Sequence, residues 1–168
     1  MLSNALGIGG TEKGLVSFAR ELDRGAFDLS VVAVSEGGPR EAELVAEGIP
    51  VDSAEGDEGR LAELLAGADV AHIFRAGAAE PIVPAAAARA GVSHLVETNI
   101  FGQVDRSPDE SRFACHLFMS QMCLMRYRER VGQAGPDFHV RNKVLRFPID
   151  HETLRRDAPP RAEARRLL

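Results

Sequence analysis

Cysteine is scarce: Cys115 and Cys123 are the only two in 168 residues, and without a second ligand pair beside them they do not make a zinc site. Both sit in an apolar, helix-prone neighbourhood, which reads as a pair of free thiols in a core. No apolar run approaches the length of a membrane span, and Met1 is not followed by a basic segment and a signal-peptide core. The expectation is therefore a cytoplasmic protein with no indicated membrane association. Positive charge is not in excess either. Against 25 Asp and Glu stand 20 Lys and Arg, a formal charge of −5, which argues against a dedicated nucleic-acid surface. Basic residues gather only in the tail, at Arg155, Arg156, Arg161, Arg165 and Arg166. No cluster of metal-ligand residues is seen, so no metal is expected.

The content that remains, 45% hydrophobic and 27% charged, is that of an ordinary folded domain. Its most informative stretch is the run from Ser3 to Leu15, where Gly7, Gly9 and Gly10 lead directly into an amphipathic segment. Leu15, Phe18, Ala19 and Leu22 fall at i, i+3, i+4 and i+7, which predicts a helix beginning near Thr11 with Thr11 as its N-cap. A glycine-rich loop opening a helix is suited to phosphate, because its backbone can approach the anion and the first-turn N–H groups point at it. Neither familiar signature is complete. The dinucleotide pattern G-x-G-x-x-G has Glu12 in place of its third glycine, and the phosphate-loop pattern G-x-x-x-x-G-K-S/T has Leu15 in place of its lysine. A loop that merely caps a helix is the competing reading of this segment.

Strand and helix signals then alternate. Strands are predicted at Phe27 to Val34, Ile49 to Asp52, Asp69 to Phe74, Val92 to Thr98, Phe113 to Met119 and Lys143 to Phe147. Helices are predicted from Arg40 to Glu47, around Leu61, Leu64, Leu65 and Ala68, from Pro81 to Ala90, and from a Ser120 cap through Leu124, Tyr127 and Val131. Pro81 suits a first helical position, and Gly91 a residue just past a helix end. Several strands are apolar on both faces. The pattern specifies an α/β fold, a Rossmann-like three-layer sandwich with a mostly parallel sheet. The first strand has only Met1 to Asn4 before the glycine loop, so either the natural start is missing or the innermost strand is partial. Ligands of such sheets bind beyond the carboxyl ends of the strands, which selects the loops Leu6 to Thr11, Ser35 to Arg40, Phe74 to Glu80 and Asn99 to Glu110.

Several segments, in order, resemble the N-terminal half of retaining GT-B glycosyltransferases, the large family that includes sucrose synthases and bacterial lipid and polysaccharide glycosyltransferases. They are Gly9 to Glu12, Leu22 to Leu29, Leu44 to Val51, Asp69 to His72, Ala87 to Val92, and Lys143 to Asp150. The last resembles that family's interdomain segment, with Phe147 in place of its usual Asn. The resemblance implies an acceptor-side domain over residues 1–150 and, over residues 151–168, a linker and the start of a donor-binding C-terminal domain that the chain lacks. It implies a glycosyltransferase that takes a nucleotide-sugar donor and a small-molecule acceptor, uses no cofactor, and is catalytically incomplete as this chain alone. Gly9, Gly10 and Thr11 would bind the donor diphosphate, Arg75 and Asn99 the acceptor. Asn99, where the family often has a histidine, would be the catalytic position. Its amide donates and accepts hydrogen bonds but is no general base.

Each site residue also has a plainer reading. Arg75 could form a surface ion pair with Glu80, and His72, inside an apolar strand, reads as a core histidine. The acidic run Asp52, Glu55, Asp57 and Glu58 reads as a solvated loop and helix start. Met119, Met122, Cys123 and Met125 read as core before ligand groove. Two alternatives to the glycosyltransferase remain open: a stand-alone nucleotide- or dinucleotide-binding module, and a non-catalytic regulatory domain. Glu36, an acidic residue at the end of the second predicted strand, keeps the dinucleotide option alive, because such a residue can hold ribose hydroxyls.

Overall fold

The computed structural model describes residues 1–76, 81–106, 108–132 and 135–167. Strands β1 (Leu2–Ala5), β2 (Val31–Glu36), β3 (Val51–Ser53), β4 (Val70–Arg75), β5 (His94–Asn99), β6 (Phe113–Phe118) and β7 (Asn142–Val144) form one sheet. Their order is β3-β2-β1-β4-β5-β6-β7, and each neighbouring pair is parallel. Helices α1 (Gly10–Glu21), α2 (Arg40–Ala46), α3 (Glu58–Leu64), α4 (Ile82–Ala90), α5 (Gln121–Val131) and α6 (Phe138–Arg141) follow the strands, and α7 (His151–Asp157) and α8 (Arg161–Leu167) complete the chain. This is the expected Rossmann-like α/β fold, with the sheet parallel throughout the described residues.

Alternation along the strands sorts the core into two faces. Val31 and Ala33 of β2 and Phe74 of β4 pack with Leu15, Val16 and Ala19 of α1 and Leu44 of α2. Val32, Val34, Ala71 and Ile73 pack instead with Leu61 and Ala62 of α3 and Val83, Ala86 and Ala87 of α4. Each fully buried Leu or Val contributes about 1.5–3 kcal/mol, so either layer alone would leave one face of the strands exposed to water. A third cluster, Phe118, Cys123, Leu124, Tyr127 and Phe138, seats α5 and α6 at the β6–β7 end. Helix ends follow local chemistry. Ser120 caps α5 by accepting from Cys123 N at 3.2 Å, and Gly91 ends α4 in the left-handed region at φ 74°.

Four local expectations are corrected. Thr11 is not the N-cap: α1 starts at Gly10 and Gly9 occupies the cap with an extended backbone (φ −64°, ψ 170°). Pro81 is the cap of α4 rather than its first residue. The strand expected from Phe27 begins only at Val31, because Asp23 turns the chain, accepting from Gly25 N at 2.8 Å, and leaves Phe27 54% exposed. The strand expected to reach Phe147 stops at Val144. Beyond it the chain leaves the sheet, and the Phe147 ring lies against the backbone of Gly14, where an added Cβ would collide with it. Phe147 continues an aromatic stack with Phe18 and Phe74, ring centroids 5.7 and 6.3 Å away.

Candidate functional site

The strand order reverses direction at β1. From there the chain moves outward to β2 and β3, then returns to β4 on the other side. Connections leaving opposite ways open a crevice at the carboxyl ends of β1 and β4, the usual ligand position in open parallel sheets. The Leu6 to Gly10 loop fills one lip of that crevice. A Cβ added at Gly7 or at Gly10 would meet nothing within 4 Å, so the backbone there faces open space.

The β2–α2 loop holds the glycine loop in place. Arg40 N donates to Leu6 O at 3.1 Å, and the Arg40 guanidinium donates to Ile8 O at 3.2 Å. Gly38 is wedged against the Leu6 carbonyl so closely that a side chain would not fit. Gly38 N in turn donates to the Glu41 carboxylate at 2.7 Å. Glu36 ends β2 as an exposed carboxylate, in register with Ala5. Glu12 folds back so that its carboxylate covers Gly9. An internal anion thus already sits at the positive end of α1.

Arg75 and Asn99 lie side by side in register at the ends of β4 and β5, but both are buried, at 5% and 2% exposure. The Arg75 guanidinium pairs with the Glu97 carboxylate, with Asp105 at 3.1 Å, and stacks over Phe113 at 4.9 Å. Its neutralising partners are therefore Glu97 and Asp105. Glu80, its partner in the plainer reading, lies outside the described residues, as does residues 77–80 of the loop that was selected from Phe74 onward. Asn99 donates to Gln103 O at 2.7 Å and to Glu97 at 3.2 Å, and accepts from Gln103 N at 3.1 Å. Its amide closes the turn that follows β5.

Behind these two residues runs a polar row that sequence reasoning missed. Glu97, His116 and Asn142 are register neighbours on β5, β6 and β7, and all are buried. Neighbours in register share a face, so the row points the same way as Ile73 of β4. His116 Nδ1 lies 2.6 Å from Glu97 Oε1, and Nε2 lies 3.1 Å from Glu110 Oε1. The ring thus lies between two carboxylates, with Arg141 Nη2 3.4 Å from Nε2. Burial by itself would raise the Glu97 carboxyl. The hydrogen bond from His116 and the charge of Arg75 outweigh it and hold Glu97 below the ordinary carboxylate range. Glu97 directly after Val96 and His116 between Cys115 and Leu117, ionisable side chains set in strand segments, were the available signal.

His72 sits on the other face against Phe74, ring centroids 4.5 Å apart, with Nε2 2.8 Å from Thr98 Oγ1. Burial pushes it down to about 3, so it is a neutral packed ring, and the core reading of His72 describes its surroundings. Cys123 is buried, its Sγ 3.1 Å from Ile100 O. Met122 and Met125, expected as core, are 59% and 40% exposed; the buried face of α5 is instead Cys123, Leu124 and Tyr127.

No family model matches the chain, and no curated protein matches it. A similar solved structure is that of a new type of NADPH-dependent quinone oxidoreductase, QOR2, from Escherichia coli: 22% identical, TM-score 0.42, covering 71% of this chain and 46% of that one. The chain thus spans about half the length of that neighbour. This comparison corrects the glycosyltransferase expectation, and with it the nucleotide-sugar donor and the absence of a cofactor, since the neighbour is a nicotinamide-dependent oxidoreductase. At this TM-score the likeness itself assigns no reaction and no cofactor to the chain.

Proposed function

We propose that the chain is a nucleotide-binding module that seats a nucleotide or dinucleotide diphosphate with an unphosphorylated ribose. The observation that carries this reading is a coincidence in space. The glycine loop, the N-terminus of α1 and the β1/β4 reversal of strand order meet at one crevice. Gly7 and Gly10 leave backbone open for phosphate oxygens, and the first-turn N–H groups of α1 with its dipole supply the attraction. Glu36, one strand over, supports the ribose part: a carboxylate there accepts from two hydroxyls and repels a 2′-phosphate. Glu12 competes with the incoming phosphate and must swing away, which lowers affinity without abolishing it.

Isothermal titration with ADP, NAD and NADP tests the reading. ADP and NAD should bind, and NADP should bind at least about tenfold more weakly. Exchanging Glu36→Gln should narrow that gap. Failure of both ADP and NAD to bind, or NADP binding as tightly as NAD, would overturn the assignment.

A further inference from the structure

The loop that precedes α1 carries three backbone donors in succession. The N–H groups of Gly7, Ile8 and Gly9 meet no acceptor among the described residues. Successive free N–H groups draw an anion only when the backbone turns them to a common side, and here one residue sets that turn. Arg40 N donates to Leu6 O at 3.1 Å, and Arg40 Nη2 donates to Ile8 O at 3.2 Å. None of the described peptide bonds is cis, and across a trans peptide the N–H points opposite to the carbonyl before it. With the Leu6 and Ile8 carbonyls both turned to Arg40, the N–H groups of Gly7 and Gly9 both point away from it.

The Arg40 side chain is itself fixed, and only 13% of it is exposed. Its Nη1 donates to Glu43 Oε1, while the other oxygen of Glu43 accepts from Lys13 Nζ of α1 at 3.2 Å. The guanidinium is thereby tied to both helices that flank the loop. Its Nε is buried and has no hydrogen-bond partner. A buried donor left unpaired is unfavourable, and each one asks for an explanation. Commitment of the two ends of the fork to Ile8 O and Glu43 supplies it. Both ends being taken, Arg40 acts on an incoming phosphate through the loop and not by touching it.

We infer that Arg40 is the positioning residue of the phosphate seat: its side chain holds the Ile8 carbonyl so that the Gly9 N–H is presented to the diphosphate. This rests on the nucleotide reading above. The backbone N–H of Arg40 holds Leu6 O whatever its side chain, so Gly7 keeps its orientation when the guanidinium is removed and Gly9 loses it. The β2–α2 loop then serves both parts of the ligand, Glu36 at its start for the ribose and Arg40 at its end for the phosphates.

The test is ADP calorimetry together with backbone amide shifts on the wild-type chain and on Arg40→Met, Glu43→Gln and Arg20→Met. Arg40→Met should weaken ADP binding by about tenfold, with its ligand-free spectrum changed at the Gly9 amide and little at Gly7. The loss should be the same at about 0.05 M and about 0.5 M salt, since an orienting contact is not screened as a direct attraction is. Glu43→Gln, which loosens the guanidinium at its other end, should weaken ADP by about threefold and decides the matter if Arg40→Met does not fold. Arg20→Met removes ion pairs to Glu43 and Glu47 without touching the loop, and should leave ADP affinity unchanged. Wild-type ADP affinity in both Arg40→Met and Glu43→Gln overturns the inference and leaves the nucleotide reading standing. A loss that vanishes at high salt, an undisturbed Gly9 amide in Arg40→Met, or an equal loss in Arg20→Met also overturns it. Failure of the wild-type chain to bind ADP or NAD overturns the nucleotide reading, and this inference with it.

Discussion

At the scale of single residues, the structure turns on the carboxylate of Glu97, which gathers Arg75, His116 and Asn99 in the middle of a sheet. Removing one member of a buried charged network strands the others without compensation. Glu97→Ala should therefore lower stability by about 3–5 kcal/mol in urea denaturation. Asn99→Ala, which releases the Gln103 turn, should cost about 1–3 kcal/mol. Stability should also fall on acidification, for two separate reasons. Glu97 is depressed below its ordinary 4.5, so what it contributes is present above that value and lost as pH falls through its folded pKa. His72 is held neutral with its pKa depressed from 6.5 to about 3. Below pH 6.5 the unfolded chain takes up the proton and the folded chain does not, so stability declines steadily toward pH 3. A His72→Phe variant should flatten the upper part of that decline in denaturation midpoints measured across the range. Unchanged slopes between pH 6.5 and 5 would show that His72 is not the titrating group.

At the scale of elements, strand and helix positions were readable because each apolar run carries its own period and its own stop. Gly91 after α4 and Ser120 before α5 stand where the sequence placed them. What was not readable depends on contacts between distant segments. Gly14 looks in sequence like an ordinary helix glycine, but it is the place where Phe147, far along the chain, touches the α1 backbone. Gly14→Val should therefore destabilise the protein by at least about 2 kcal/mol in thermal or urea unfolding. Gly10→Val, whose side chain would enter open space, should leave stability within about 0.5 kcal/mol. The same contrast explains Arg75. Its position at a strand end was legible, but its partners Glu97 and Asp105 come from β5 and the loop beyond it, and no local pattern announces them. A site hypothesis built from strand ends alone cannot separate a residue waiting for ligand from one already neutralised.

At the scale of the whole molecule, the alternation of elements specified a parallel sheet, and the order β3-β2-β1-β4-β5-β6-β7 adds the crevice that alternation could not locate. Order in sequence is also shared by many unrelated activities on this architecture. That is why matching segments in the right order pointed to a glycosyltransferase that the comparisons do not support. The account now rests on the glycine loop at the reversal point. Its anion character makes a further prediction: Glu12→Gln, which removes the resident carboxylate from the α1 N-terminus, should tighten ADP binding by about threefold to tenfold in calorimetry. A weaker complex would mean that Glu12 assists the ligand instead of competing with it.

The most direct measurement of the central claim is an ADP titration of the wild-type chain and of Gly10→Val, followed residue by residue through backbone amide shifts. The account predicts saturable shifts centred on residues 7–12 and on Glu36 in the wild type. It predicts binding at least about tenfold weaker in the variant, with an unchanged fold. Shifts centred elsewhere, or equal affinity in the two proteins, would contradict the assignment of the β1–α1 loop as the phosphate seat.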